Sequence, residues 1–165
     1  MFFLLWDASA LAKRYAPEVG QQTVNALFAQ VPRAQLITSI VSYSETYAAL
    51  LRMHNRGVLD AATVAVARSA LRAEVIDDPD LGVLAVDFDD VLGGIDLISR
   101  HSLNSSDASV LTAFLRYAQC QPAPVVSVLV ASDQRMLRAA RAEGLQILDP
   151  EVFPAADVPT FLASL

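Results

Sequence analysis

Apolar residues in this chain fall into two kinds of run, and their alternation outlines a fold before any chemistry is considered. Short unbroken blocks of apolar and β-branched residues mark strands buried on both faces. Phe2–Trp6 is one such block and the valine-rich Val125–Val130 is the strongest. Gln35–Thr38, Leu81–Val86 and Leu145–Leu148 are shorter or weaker examples. Between them apolar residues recur at helical spacing. The pattern predicts helices from about Ala8 to Tyr15, ended by Pro17, and from Gln21 to Ala29, stopped before Pro32. A long helix over Val41–Asn55 follows, and then one over Ala61–Glu74. Gly57 suits the end of the first and Asp60 the N-cap of the second, so the two form a helical hairpin. Asp77–Pro79 breaks the chain. Further helices are predicted from an Asp87 cap to His101, from Ser106 to Ala118, and from Asp133 to Glu143 with Gly144 as the stop. Pro122 and Pro124 mark a loop.

Strands alternating with helices predict an α/β fold with a mostly parallel central sheet, flanked by helices on both faces. No internal repeat, low-complexity tract or long linker divides the chain, so residues 1–165 read as a single domain. In such sheets, sites form beyond the carboxyl ends of the strands. Asp7 directly follows the first strand, and Asp133 comes just after the valine-rich one.

Composition narrows the class. An apolar fraction of 54% excludes disorder and exceeds the needs of an average soluble monomer, which points to a buried partner surface. No segment approaches the roughly 20 apolar residues that span a bilayer. Asp7 interrupts the opening apolar run and no basic residue precedes it, so a signal peptide is not expected. Cys120 is the single cysteine, which rules out an intrachain disulfide, and no His/Cys cluster has zinc spacing. A reducing cytoplasm is the expected location. The net charge of −6 runs against an electrostatic grip on nucleic acid, which usually uses basic stripes. A metal-binding cluster of carboxylates would contribute to that imbalance.

Three aspartates each head the apolar stripe of a helix. Asp7 is followed by Ala10, Leu11 and Tyr15; Asp107 by Val110, Leu111, Phe114, Leu115 and Ala118; Asp133 by Met136, Leu137 and Ala140. A residue on the apolar stripe faces the core. Gathering such anions is costly without compensation. Helix N-termini supply only about 0.3–1 kcal/mol each. Bound Mg²⁺ or Mn²⁺ would suffice, because hard cations prefer carboxylate oxygens.

Each residue also has a plain structural reading. Asp7, Asp107 and Asp133 suit N-caps, and Ser42-x-x-Glu45 fits a capping box. Asp87, with Asp89 and Asp90, reads as a cap and a solvated acidic turn; Asp77, Asp78 and Asp80 as a surface loop; Asp96 as a helix-surface charge. His54 and His101 lack a partner motif, and Cys120 reads as an inert buried thiol.

The ordered set of segments favours a shared role. Phe2–Leu11, a strand ending in Asp7-Ala8-Ser9, resembles the opening of PIN-domain proteins. Thr38–Leu50, a Thr-Ser strand end followed by the helical Glu45, resembles that family's second motif. Leu103–Ala108, around Asp107, resembles the third, and Ala131–Leu137 with Ala140, Gly144 and Leu145 resembles the fourth. The set covers almost the whole chain and is most similar to VapC-type toxins of prokaryotic type II toxin–antitoxin systems. Ala131 departs from the pattern, because the family often carries a hydroxyl residue two positions before the last aspartate. Extra length near Gln119–Pro124 and toward the C-terminus is also unlike the family.

The resemblance implies a PIN-like fold and metal-assisted hydrolysis of single-stranded RNA. Asp7, Glu45 and Asp107 would hold one Mg²⁺ or Mn²⁺, and Asp133 would help hold a second ion or orient the water. Ser9, Ser39 and Ser132 would orient the carboxylates by hydrogen bonds. Lys13, Arg14, Arg52, Arg56, Arg135 and Arg138 are the basic residues nearest the motifs, able to meet RNA phosphates or simply to face solvent. The implied partners are RNA, a VapB-like antitoxin and a second copy of the chain in a homodimer, with the Val41–Glu74 hairpin as the contact region; ordinary packing on the sheet explains that hairpin equally well. Three other readings remain: a PIN-like binding scaffold without activity, another Mg-dependent phosphohydrolase with an aspartate nucleophile, and a nucleotide-binding module. The second usually has an aspartate where Ser9 stands, and the third lacks a glycine-rich phosphate motif here.

Overall fold

The computed structural model describes residues 1–165. Five strands form one parallel sheet: β1 (Phe2–Trp6), β2 (Leu36–Ser39), β3 (Gly82–Leu84), β4 (Val126–Val130) and β5 (Gln146–Leu148). Their order is β3-β2-β1-β4-β5, so β1 is central. Leu5 of β1 lies opposite Ile37 of β2 and Leu129 of β4.

Alternation along β1 divides the interior into two cores. Leu4 and Trp6 face one side with Leu36, Val128 and Val130. Leu5 faces the other with Ile37 and Leu129. The first side is covered by α1 (Ala8–Leu11), α2 (Gln21–Gln30), the hairpin of α3 (Ile40–Asn55) and α4 (Ala61–Val75), and α8 (Val158–Ser164). The second is covered by α5 (Phe88–His101), α6 (Ser105–Gln119) and α7 (Gln134–Ala142). The expected two-faced α/β architecture is present. Helices α5 and α6 approach closely at Gly94, where an added Cβ would lie 3.1 Å from the Ala108 carbonyl carbon. No helix is long and apolar enough to cross a membrane.

Several expectations need correction. The first helix is a single α-turn that tightens into a 3₁₀ turn at Ala12–Arg14. Helix α3 starts earlier than expected, with Ser39 as its N-cap, so the capping box between Ser42 and Glu45 does not form. Asn104, not Asp107, caps α6. Asp87 does cap α5, but Asp90 is no solvated residue: it is buried, closes a capping box with Asp87, and receives two hydrogen bonds from Arg116. Cys120, at the end of α6, is exposed rather than buried. Helix α8 lies in a stretch where the apolar pattern predicts no element.

In the hairpin, Leu50, Leu59, Val64, Ala67, Leu71 and Val75 are buried in the molecule's own core, while Val58 and Val66 stay exposed. The exposed apolar stripe lies instead on α5, where Phe88, Val91, Leu92 and Ile95 are each more than half exposed.

Candidate functional site

The site forms where the carboxyl ends of β1, β2 and β4 meet the starts of the helices that follow. The Asp7 amide extends the β1–β4 ladder by donating to the Val130 carbonyl at 3.1 Å. Thr38 Oγ1 ties β2 to the end of β1 by donating to the Trp6 carbonyl at 2.8 Å. The backbone leaving β1 is thus fixed on both sides. Asp7, only 5% exposed, caps α1 and accepts hydrogen bonds from the Ser9 amide and hydroxyl.

Ser9 joins two parts of the site. Its Oγ donates to Asp7 and accepts from the amides of Ser132 at 2.9 Å and Asp133 at 3.2 Å. Asp133 caps α7, its Oδ1 accepting from the amides of Arg135 and Met136. Asp107 lies in the first turn of α6, and Asn104 both accepts from its amide and donates to its carboxylate, each at 2.8 Å. Glu45, one turn into α3, accepts from the Ser106 hydroxyl of α6.

Asp7, Glu45, Asp107 and Asp133 all line one cleft of about 480 Å³. No lysine or arginine forms an ion pair with any of them. Capping and clustering are therefore compatible at Asp7 and Asp133. Burial pushes the Asp7 carboxyl up; the Ser9 hydrogen bonds oppose this, and the Glu45 charge adds to it. The Asp107 carboxyl is pushed up to about 6 by partial burial and by the charges of Asp7, Asp133 and Glu45, with Arg135 in mild opposition.

These all-oxygen donors fit a hard divalent cation chemically, and such a cation would relieve the repulsion. No three of the carboxylates are already closed into an ion-binding cage. Three are instead engaged by Ser9, Asn104 and Ser106.

The serines differ in role. Ser9 meets a carboxylate directly. The Ser39 hydroxyl donates to Ser42 and caps α3, without bonding any of the four acids. The Ser132 hydroxyl is buried without a partner, and only its amide joins the network. Sequence reasoning missed Asn104 and Ser106. Asn104 had a signal, since asparagine before a helical run is a favoured N-cap; Ser106 had none. Lys13 and Arg52 line the cleft, whereas Arg14 is held by Glu74 and Asn25. His54 and His101 do not line it.

A search of curated proteins finds no match. Solved structures share the fold. A chain of FitAB bound to an IR36 DNA fragment has a TM-score of 0.66 at 11% identity, covering 92% of this chain and 98% of that one. VapC20 of Mycobacterium tuberculosis, a toxin that cleaves the sarcin–ricin loop, has a TM-score of 0.62 at 19% identity, covering 92% and 99%. A chain of a toxin–antitoxin complex from Klebsiella pneumoniae has a TM-score of 0.57 at 14% identity, covering 89% and 97%. The PIN domain family model matches residues 4–142, a span that begins inside β1, ends with α7 and takes in all four carboxylates; this chain belongs to the PIN domain family.

Proposed function

We propose that this protein is a metal-dependent endoribonuclease acting on single-stranded RNA, and the toxin of a type II toxin–antitoxin pair. The observation that carries this reading is the cleft holding four carboxylates without a paired cation, two of them with raised pKa values. Bound Mg²⁺ or Mn²⁺ supplies a polarised phosphate and a water nucleophile near neutral pH. Asp7, Glu45 and Asp107 would hold the ion, and Asp133 would help hold a second ion or orient the water. Ser9 orients Asp7, and its hydroxyl fixes the loop that presents Asp133. No histidine base is required, in line with two histidines that lie outside the cleft.

The purified protein, free of any partner, should cut single-stranded RNA in Mn²⁺ and stop in EDTA. Metal-independent cutting would reject the metal role. No cutting in any divalent ion would favour a PIN-like binding scaffold.

The partner reading draws on relatives of the same fold, which include a toxin–antitoxin complex. A VapB-like antitoxin would place an arginine against Asp7 or Asp107 in place of the metal, since its fork matches a carboxylate. For the homodimer, the exposed stripe of α5 suits a second copy. Asp87 and Asp89 lie at its start, and Arg100 and His101 at its end. Two such helices crossing antiparallel about a two-fold axis set the acidic start of one beside the basic end of the other. Leu92→Glu should shift the protein to monomer in light scattering; an unchanged mass would place the interface elsewhere.

A further inference from the structure

Lys13 is the one lysine or arginine among the buried residues, at 3% exposure. It sits in the 3₁₀ turn after α1 and lines the cleft that holds the four carboxylates. Its Nζ donates to Glu151 Oε1 at 2.7 Å and lies 3.7 Å from Glu18 Oε2. A buried ammonium loses its hydration, and only its partners make that tolerable. The partners are far less buried: the Glu18 side chain is 33% exposed and that of Glu151 is 42%. The cation is thus the fixed member of the trio, and its acceptors are the members free to turn toward water.

The charge of the cleft gives this arrangement a purpose. Six carboxylates line it, from Asp7, Glu18, Glu45, Asp107, Asp133 and Glu151, against only Lys13 and Arg52. An RNA strand entering such a place meets strong repulsion. In the nuclease reading, divalent ions would offset it beside Asp7 and Asp107. On the Glu18–Glu151 side, Lys13 is the buried positive charge that a phosphate can meet.

We propose that Lys13 binds a backbone phosphate of the RNA, and that Glu151 and Glu18 hold its charge until that phosphate displaces them. This rests on the nuclease reading above. The exchange swaps one anionic oxygen acceptor for another, so the ammonium is never left unpaired. Lysine, a compact charge on a flexible stem, suits such a handover better than a guanidinium already forked onto a carboxylate.

The test uses the full chain carrying Asp7→Asn, so that bound RNA is not cut, at several KCl concentrations without divalent ions. The probe is a fluorescein-labelled single-stranded RNA oligonucleotide of mixed sequence, followed by anisotropy. Adding Lys13→Met should weaken binding about 10-fold and reduce the salt slope by about 0.7, the signature of one lost phosphate contact on a single strand. Adding Glu151→Gln instead should tighten binding, because a competitor for the ammonium is gone. These opposite signs separate the proposal from a merely structural ion pair. If both variants weaken binding, or if Lys13→Met leaves affinity and slope unchanged, the proposal fails while the nuclease reading survives. Should Lys13→Met not fold, Glu151→Gln decides alone: tighter binding supports the exchange, and unchanged or weaker binding overturns it. A wild-type protein that neither binds nor cuts RNA ends both readings.

Discussion

Asp7 and Asp90 are both buried aspartates at the start of a helix, yet they behave as opposites. Asp90 is 1% exposed in α5. Burial pushes its carboxyl up, but hydrogen bonds from Arg116 and the Asp87 amide, with the charge of Arg116, outweigh burial and hold it below the usual range. Asp7 has only neutral hydrogen bonds, from Ser9 and the Ala8 amide, to offset burial, faces Glu45, and ends above that range. Burial of an acid therefore does not by itself mark a site. What marks one is a buried acid whose counter-charge the fold has left out. At Asp90 the counter-charge is built in; at Asp7 no lysine or arginine supplies one.

The sharpest way to break this contrast is Asp7→Asn. RNA cleavage should fall by at least about 10²-fold, the scale of losing one preorganised electrostatic group. Mn²⁺ should stabilise the wild type against heat and should not stabilise this variant, since only a ligand of the native state adds stability. The metal-free variant should melt no lower than the metal-free wild type, because a repelling buried charge is gone. Calorimetry that finds no metal binding by the wild type would sink the four-carboxylate reading.

Arg116→Met tests the other side. It leaves Asp90 buried without its counter-ion and should cost about 1–3 kcal/mol in urea unfolding. Because Arg116 is half exposed, water can replace part of what it gave, so the lower end of that range is expected. Cleavage should be unaffected. A variant as stable as wild type would show that Asp90 does not depend on its guanidinium.

A smaller effect appears in the pH dependence of the metal-free protein. Asp107 rises from 3.8 to about 6 on folding, so the native state binds the extra proton. Its favourable contribution is complete below about pH 4 and is lost as the pH climbs through about 6. Asp90 has the reverse sign: its contribution is present above about pH 4 and is lost as the pH falls through its depressed folded value. In EDTA, Tm should decline between pH 4 and 7, and Asp107→Asn should flatten part of that decline. Mn²⁺ should stabilise more strongly across the same window as protons stop competing. An Asp107→Asn slope equal to wild type would count against the raised pKa.

The smallest effect belongs to the histidines. His54 Nδ1 lies 2.9 Å from the Leu59 carbonyl and His101 Nε2 lies 2.6 Å from Glu143. His54→Ala and His101→Ala should leave initial cleavage rates near wild type; a large loss in a folded variant would point to a histidine base.

Local pattern suffices for strands β1 and β4 and for Asp7, Asp107 and Asp133, which sit beside a strand end or in a first helical turn where the period is visible; Glu45 comes in only through the family resemblance, since the capping box its spacing suggests does not form. Local pattern misplaces what depends on distant chain. Asp90 reads as solvated until Arg116 arrives 26 residues later on α6. Glu45 and Ser106 are 61 residues apart and share no local signal. Lys13 and Arg14 are neighbours with identical local appeal, yet tertiary packing sends one into the cleft and the other to Glu74. Strand β3 is shorter than the Leu81–Val86 run predicts because it is an edge strand, paired on one side only, which leaves less to extend it.

The hydrogen bond from the Asp133 amide to the Ser9 hydroxyl spans 124 residues of chain. On the ribosome, Ser9 emerges long before the amides it will hold, and β1 waits for β4 in the same way. A half-synthesised chain has Asp7 and Glu45 but no Val130 carbonyl to anchor the Asp7 amide and no Asp133. Under the nuclease reading, this order of assembly would act as a built-in delay: the four-carboxylate cleft is not complete until β4 and Asp133 have been made.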